Sequence, residues 1–491
     1  MEQEREIVQV GSDEGENMAA AENGSHGHHS HHSSGKTHSS HSHQSKHSHP
    51  RKYKTSHQPR GKKSLISRVQ AWIDRKFSSK SLVVMCLVTV LLMSCLLVVM
   101  YVFESSFRHT GLPGVDPGLS ATSGTKPQGG NSEFTPSVTV TIPSYWQKMI
   151  NEKTEVVKAL QTAGGKDSVS FVWASDTHIP DNSTARTDDI GKLMAKMMDN
   201  CDIPFAVLTG DIGTRSSYDT EAELVRTQAK ISEHLAPLWG TDRLLAALGN
   251  HDGCYGDSSC YYQKQFAPAR LWQLYFRWQA LDSRKVFADD GLYFYVDNAA
   301  QKVRFIVLNS QFGGKYLADE NGCAVNNRFS TSCYGQEQLD WLANVALDLP
   351  EGYGAIITSH VPPNVTYTVD KVLLIGIINA YCNKTTYQGS YLEGVDGWTN
   401  STVNVDFKEA KGEIIAMFTG HVHQDTVDTT TLACPLITII SAGAQVNAGE
   451  IPDRQFGTDT ETSFDVVTIN RKTRTIYCTR VGAGEDREIK Y

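Results

Sequence analysis

The stretch Ala416–Asp425, AMFTGHVHQD, contains the feature that decides both the fold and the chemistry of this chain. An apolar run ends at Gly420, and two histidines follow one residue apart, His421 and His423. On extended backbone, side chains at positions i and i+2 point to the same face, which suits a shared target. Imidazole is a common metal ligand, but histidine has many other roles, so the rest of the chain must decide.

Four more stretches of the C-terminal body repeat this arrangement, in which a short apolar run is followed by a polar side chain that can bind metal. The runs SVSFVWA, FAVLTG, LLAALG and GAIITS precede Asp176 with His178, Asp211, Asn250 with His251 and Asp252, and His360, respectively. Short apolar runs of this kind are typical of buried β-strands. Because open α/β sheets form their sites beyond the carboxyl ends of strands, we expect these strand ends to converge on one place.

The residue types indicate the kind of ion. Carboxylate, imidazole and amide ligands without thiolate suit zinc, iron or manganese. The seven candidate ligands are Asp176, His178, Asp211, Asn250, His360, His421 and His423. They are too many for one tetrahedral ion, but they fit two divalent or trivalent ions that share a carboxylate. Under this interpretation, each histidine of GHVH binds a different ion.

The order of these motifs resembles the calcineurin-like metallophosphoesterase superfamily over about Val169 to Ile476. The resemblance implies an α/β fold, a sandwich of two mixed β-sheets flanked by helices. It implies one ion held by Asp176, His178 and His423, a second held by Asn250, His360 and His421, and a bridge at Asp211. It further implies that His251 stabilises the transition state and donates a proton, with Asp252 orienting it.

The same resemblance implies a phosphoric ester hydrolase that cleaves phosphomonoesters or phosphodiesters by attack of a metal-bound hydroxide. The segment Glu461–Tyr491 looks like the C-terminal end of bacterial-type members, and SHVPPN, Ser359–Asn364, resembles sphingomyelinase-like phosphodiesterases. A sphingomyelinase-like phosphodiesterase or a polyphosphate hydrolase is therefore an alternative. A non-catalytic surface binding protein on the same scaffold is another. After Asp211 the chain reads IGTR, where many relatives have a phosphate-contacting residue, so the substrate stays open.

The N-terminal part of the chain predicts a membrane anchor. Residues 1–80 are polar, His-rich over Ser25–His49 and then basic, which is typical of a disordered tail. Residues 81–103 contain no charge and are long enough to cross the roughly 30 Å hydrocarbon core as a helix. The basic residues precede this span, so the positive-inside rule places the N-terminus in the cytosol.

These features predict a single-pass type II membrane protein whose catalytic domain is lumenal or extracellular. Residues 104–141, rich in Gly, Pro, Ser and Thr, form a stalk, and residues 142–491 form the metallophosphoesterase domain. The net charge of −8 identifies no partner, because the basic tail and the acidic body are expected on opposite sides of the membrane. The predicted partners are a phosphoester substrate and the lipid bilayer. No nucleic-acid partner is indicated, and the oligomeric state is open.

Glycosylation sequons and cysteines agree with this topology. Four sequons follow the span, at Asn182, Asn364, Asn383 and Asn400. Eight of the ten cysteines also follow it, and an even number in an oxidising compartment suggests disulfides. The easiest local pairs are Cys254–Cys260 and Cys323–Cys333. Asn182 lies four residues beyond His178, so a glycan there is expected beside the mouth of the site and to hinder bulky substrates.

Overall fold

The computed structural model describes the C-terminal body. The described residues are 140–179, 186–213, 221–257, 260–266, 268–288, 291–313, 319–321, 323–326, 328–392, 400–443 and 454–491. All of them belong to Gly130–Tyr491, the second of two units into which the chain divides. The predicted tail, the predicted membrane span and Asn182 lie outside them. No helix in these ranges combines the length and apolarity needed to cross a bilayer.

The strands and helices alternate along much of the body. The strands are β1 Ser168–Ala174, β2 Ala206–Leu208, β3 Leu244–Ala246, β4 Cys254–Asp257, β5 Cys260–Gln265, β6 Lys285–Phe287, β7 Phe294–Asn298, β8 Val303–Val307, β9 Gly354–Thr358, β10 Thr386–Tyr391, β11 Ser401–Asp406, β12 Glu413–Thr419, β13 Val427–Asp428, β14 Leu436–Thr438, β15 Ser463–Asn470, β16 Thr475–Gly482 and β17 Arg487–Lys490. The α-helices are α1 Gln147–Gly164, α2 Ile190–Cys201, α3 Glu221–His234, α4 Asn250–Gly253, α5 Pro268–Leu271, α6 Gln336–Trp341 and α7 Lys371–Cys382.

These strands form two mixed sheets. The first has the order β17-β16-β15-β1-β2-β3, in which β1, β2 and β3 are parallel and the other strands antiparallel. The second has the order β13-β14-β12-β9-β8-β7-β6, with a parallel centre from β14 to β8. Two hairpins, β4-β5 and β10-β11, lie outside these sheets.

The two sheets pack face to face through aromatic side chains. The ring of Phe171 on β1 meets Phe305 on β8 and Phe418 on β12 edge-to-face, at centroid distances of 5.4 and 5.2 Å. Helix α1 contacts β15 and β16, and α2 contacts β1 and β2, on the other face of the first sheet. Leu373 and Ile377 of α7 join a second apolar cluster with residues of β9 and β12. The predicted sandwich of two mixed sheets with helices outside is confirmed.

The predicted strand ends are also found. In the first sheet, β1, β2 and β3 end two to four residues before Asp176, Asp211 and Asn250. In the second sheet, β9 and β12 end two residues before His360 and His421. Within each sheet these strands are parallel, so their carboxyl ends lie at one edge. The loops that leave this edge carry the candidate site.

The two predicted cysteine pairs are wrong. Cys254 and Cys333 are free thiols in the structure, whereas Cys323 is disulfide-bonded. The hairpin register places Cys254 opposite Gln265 and Cys260 opposite Asp257, so the first two cysteines do not face each other. The Cys333 thiol donates instead to Oδ2 of Asp370, at 3.3 Å in the interior. Closeness along the chain was therefore a poor guide to pairing.

Candidate metal centre

The two histidines that follow β12 lie in a turn, and not on the extended backbone that their spacing suggested. Their φ angles are 71° at His421 and 55° at His423, both in the left-handed region. The turn separates the two rings. Nδ1 of His421 lies 3.1 Å from Nε2 of His360, whereas Nε2 of His423 lies 3.2 Å from Nε2 of His178. Each histidine therefore joins a different cluster of ligand atoms.

The first cluster consists of Asp176, His178 and His423, whose ligand atoms all lie within 4.8 Å of one another. Nε2 of His423 is 3.1 Å from Oδ1 of Asp176, and Nε2 of His178 is 3.9 Å from the same oxygen. Asp176 and His178 are buried and His423 is partly buried. The three side chains come from the loop after β1 and the turn after β12.

The second cluster consists of Asn250, His360 and His421. Oδ1 of Asn250 lies 2.9 Å from Nδ1 of His421 and 3.0 Å from Nε2 of His360. Asn250 follows β3 of the first sheet, whereas His360 and His421 follow β9 and β12 of the second sheet. Both sheets therefore supply this cluster.

Asp211 lies between the two clusters. Its Oδ2 is 3.2 Å from Nε2 of His360 and 4.0 Å from Nε2 of His178. Its Oδ1 accepts a hydrogen bond from the backbone N–H of His251 at 2.8 Å, which fixes the orientation of the carboxylate. Asp211 thus occupies the position that a shared ligand requires. A further grouping of His178, Asp211 and His251 also lies within ligand range.

The arrangement of these side chains fits metal ions. Ligand atoms around a tetrahedral ion with bonds of 2.0–2.2 Å lie roughly 3.3–3.6 Å apart, which is close to the separations in both clusters. The tautomer of His360 also agrees. Its Nδ1 lies 2.8 Å from the carbonyl oxygen of Thr209, so this nitrogen must donate and the lone pair of Nε2 is directed at the cluster.

The electrostatics of the site favour a bound cation. Burial lowers the pKa of His178 to about 3 and that of His421 to about 4, so both rings are neutral. Burial opposes a charge on Asp211, but the rings of His360 and His251 hold its pKa well below the usual value. Burial also opposes a charge on His360, but Asp211 and then Asp176 raise its pKa to about 9. Anionic carboxylates and neutral imidazoles are the states that bind metal, so His178 and His421 are ready to bind, whereas an ion must displace a proton from the ring of His360.

Backbone strain is concentrated in the same loops. Asp176, His178 and Asp211 have φ angles of 54°, 44° and 48°, in addition to the two histidines of the turn. For residues with a side chain this conformation costs on the order of 1–2 kcal/mol each and is maintained only where the surroundings enforce it. Here Asp176 N–H donates to the carbonyl of Gly210, and His178 N–H to that of Asp211, both at 3.0 Å. These bonds tie the loops after β1 and β2 together.

Asp252 fastens another pair of loops. Its carboxylate accepts hydrogen bonds from the backbone N–H groups of Ile212 and Gly213, each at 3.0 Å, and of Gly249 at 2.8 Å. The side chain is buried, so these bonds join the loop after β2 to the loop after β3. The proposed role of Asp252 in orienting His251 stays a prediction.

Gly249 makes the approach of these loops possible. A Cβ at this position would clash with the backbone nitrogen and Oδ1 of Asp211. We therefore expect Gly249→Ala to displace the Asp211 carboxylate, to reduce metal content, and to lower the free energy of unfolding by about 1–3 kcal/mol. Urea unfolding and elemental analysis measure the two effects. The control is Gly253→Ala, where the nearest atoms are those of Leu271 at 3.8 Å, and equal behaviour of the two variants would contradict the prediction.

The sequence did not single out two aromatic residues that line the site. The ring of Phe329 packs edge-on against His251 at a centroid distance of 4.9 Å, and that of Tyr367 against His421 at 5.4 Å. Burial, with the charges of Asp211 and Asp176, raises the pKa of Tyr367 to about 12, so its hydroxyl keeps its proton. Tyr367 lies seven residues beyond His360 in the same loop, which is the signal that could have found it.

A buried ion-pair network supports the turn that carries His421 and His423. Asp425 lies two residues beyond His423. Its Oδ1 and Oδ2 accept hydrogen bonds from Nη2 of Arg480 at 2.8 and 3.0 Å, and Oδ1 also accepts the backbone N–H of Ile440 at 3.1 Å. Nε of Arg480 donates to Oδ1 of Asp465 at 2.6 Å, and Arg480 and Asp465 are both buried. The end of the turn is therefore fixed to β15 and β16.

We expect Arg480→Met to weaken metal binding by roughly 10- to 100-fold, the range observed when groups that orient metal ligands are removed. The physical reason is that Asp425 loses the Nη2 of Arg480, which contacts both of its oxygens, and the turn is then held less firmly, by Ile440 and Arg487. Titration with a competing chelator measures the affinity. The control is Arg474→Met, which removes an exposed pair with Glu413. An unchanged affinity in folded Arg480→Met protein would show that the network does not position the turn.

A comparison with models of known protein families agrees with this geometry. The model of the calcineurin-like phosphoesterase family matches residues 169–425, a range that includes all seven candidate ligands. A dimetal phosphatase from Danio rerio is similar in structure, with 13% identity and a TM-score of 0.42, over 66% of this chain and 99% of the phosphatase. A NAD nucleotidase from Haemophilus influenzae has 11% identity and a TM-score of 0.29, over 66% of this chain and 49% of the nucleotidase. No curated protein matches the sequence.

Proposed function

The chain belongs to the calcineurin-like phosphoesterase family, and on this premise we propose that it hydrolyses phosphoric esters with the aid of two bound metal ions. The observation that supports this proposal is the complete set of ligand side chains at the converging strand ends. A scaffold used only for binding would have no need of two ligand clusters with a carboxylate between them. The non-catalytic alternative is therefore the less favoured one.

In this proposal each ion has its own ligands. Asp176, His178 and His423 would hold one ion, Asn250, His360 and His421 would hold the other, and Asp211 would serve both. When bound, the ions would polarise the phosphoryl group and acidify the attacking water. The protein contributes a rigid frame for this chemistry, since hydrogen bonds to Thr209 and to the N–H of His251 hold His360 and Asp211 in place.

His251 is proposed to act on the substrate directly. Its ring lies edge-on to His178 at a centroid distance of 4.8 Å and next to Phe329, and its Nε2 is 4.0 Å from Oδ2 of Asp211. The side chain is partly exposed, unlike that of His178, so it can reach a bound ester. A ring N–H there can donate a hydrogen bond to a phosphoryl oxygen or a proton to the leaving oxygen.

The proposal is tested on the purified full-length chain. Turnover of a chromogenic phosphomonoester and of a chromogenic phosphodiester is measured after chelation and after restoring zinc, iron or manganese. We expect chelator to abolish turnover and at least one metal to restore it, and the ratio of the two rates gives the ester preference. Metal binding without turnover of either ester, or turnover unaffected by chelator, would contradict the proposal.

We also propose that residues 81–103 anchor the protein in a membrane with the N-terminus in the cytosol. The uncharged run and the basic residues before it support this topology. Asn364, Asn383 and Asn400 are exposed, so these sequons are accessible to glycosylation.

Protease added to the cytosolic face of sealed vesicles is expected to remove the His-rich tail and to spare the body, because the bilayer separates the two. Immunoblotting with antibodies against each part measures the outcome. In a control, detergent opens the vesicles and exposes the body to the protease. Digestion of the body in sealed vesicles would contradict this topology.

A further inference from the structure

Two cysteines far apart in sequence meet at the outer side of the second sheet. Cys382 is the last residue of α7, and Cys434 lies in the turn between β13 and β14. The two sulfurs lie close enough for a hydrogen bond between them to shift the pKa of both thiols. Cys434 is buried, whereas Cys382 is partly exposed. Neither is a ligand of the metal centre, and neither has a role in the proposed reaction.

The contact is held by neighbouring residues. Asn379 lies one turn before Cys382, and its Nδ2 donates to the carbonyl of Thr431 at 3.3 Å. Its Oδ1 accepts the backbone N–H of Ala433, the residue before Cys434, at 2.6 Å. The Asn379 side chain of α7 is therefore hydrogen-bonded to the turn on the N-terminal side of Cys434. These bonds hold the chain next to Cys434 against the end of α7, where Cys382 lies.

We propose that Cys382 and Cys434 form a disulfide by exchange with an oxidised disulfide donor. The thiolate of Cys382 attacks the donor disulfide and releases one donor thiol. Cys434 then loses its proton and attacks the sulfur of Cys382, which releases the second donor thiol and closes the bond. Two protein thiols are oxidised and one donor disulfide is reduced.

The environment assigns the order of these steps. The hydrogen bond with Cys434 lowers the pKa of Cys382 despite partial burial, and Lys384 contributes in the same direction. The same hydrogen bond, together with burial, raises the pKa of Cys434 well above its ordinary value. Cys382 is thus the more acidic and the more exposed thiol, which are the properties of the attacking group.

The bond would join the two segments that carry ligands from the second sheet. Helix α7 follows the loop of His360, and the turn of Cys434 follows the residues His421 and His423. The closed loop contains roughly 50 residues, including β12 and both of these histidines. A loop of that length restricts the unfolded chain and therefore stabilises the folded one.

The first test is peptide mapping of the full-length chain after incubation with oxidised glutathione, with free thiols blocked before digestion. We expect a peptide pair that joins Cys382 to Cys434 and disappears on reduction. Cys201 and Cys478, which are buried elsewhere, are expected to be recovered as thiols. Recovery of Cys382 and Cys434 with the blocking reagent attached would show that both thiols had stayed free, and it would overturn the proposal. A disulfide from either of them to another cysteine would overturn it as well.

The second test uses stability, because Cys323 is also disulfide-bonded and responds to the same reductant. Reductant is expected to lower the Tm of the oxidised wild type by roughly 3–6 °C more than that of Cys382→Ala. Cys434→Ala and the double variant are expected to match Cys382→Ala, since either change removes the same bond. An equal effect of reductant on the wild type and on all three variants would contradict the proposal. A cooperative thermal transition reports whether each variant has folded.

Discussion

Replacement of Asp211 by alanine is expected to remove at least one metal ion and to lower kcat by more than roughly 10³-fold, because the shared ligand of the two clusters is lost. Oδ2 of Asp211 is the carboxylate oxygen that lies 3.2 Å from His360 and 4.0 Å from His178. Among the His, Cys, Asp and Glu side chains of the described residues, Asp211 alone groups both with His178 and with His360. Elemental analysis of the purified variant and turnover at saturating metal measure the two effects.

The fold is expected to survive this change. Without metal, the carboxylate of Asp211 attracts the ring of His360 and repels the carboxylate of Asp176, so its removal takes away one favourable and one unfavourable interaction of the apo-protein. Asp211→Asn is the matched control, since its amide oxygen can still accept the N–H of His251 while the charge is absent. Both variants should unfold cooperatively, and Asp211→Asn should stay nearer to the metal-free wild type, because it keeps the acceptor for the N–H of His251. Full metal content in folded Asp211→Ala would refute the bridging role.

The second large effect is expected at His251. His251→Ala should retain both ions but slow turnover by about 10²- to 10⁴-fold, the usual range for a residue that assists proton transfer. The ring stands outside the two clusters, although it also lies within ligand range of His178 and Asp211. Metal content therefore decides between a role on the substrate and a role as a ligand.

A conservative variant sharpens this test. His251→Gln keeps an N–H donor at the site and should recover part of the lost rate if the ring stabilises phosphoryl charge through a hydrogen bond. It should recover little if the ring delivers a proton, since the amide cannot. A comparison of leaving groups adds a second readout, because proton delivery matters most for esters with poor leaving groups. Loss of metal from His251→Ala equal to that from Asp211→Ala would overturn the division of roles.

The sequence by itself determined the sheet edge at which the site lies. The runs before Asp176, Asp211, Asn250, His360 and His421 are apolar because they are buried between two layers, and burial of that kind is visible in local composition. Each run also ends at a residue type that can bind metal. These local properties were sufficient to place the strand ends and to select the candidate ligand side chains. They contained no information on cysteine pairing, for which nearness along the chain was the only guide.

The family resemblance had already implied how the candidate ligands are divided, but only the tertiary structure decided what holds them in that arrangement. His421 and His423 are one residue apart, yet the left-handed backbone at both residues directs their rings to different clusters. Only the surrounding bonds make that backbone conformation stable. Cys434 meets Cys382, and Arg480 meets Asp425, across about 50 residues of chain. Such contacts depend on the packing of whole sheets and helices. No local pattern encodes them, because each partner has an ordinary sequence environment until the fold brings the other beside it.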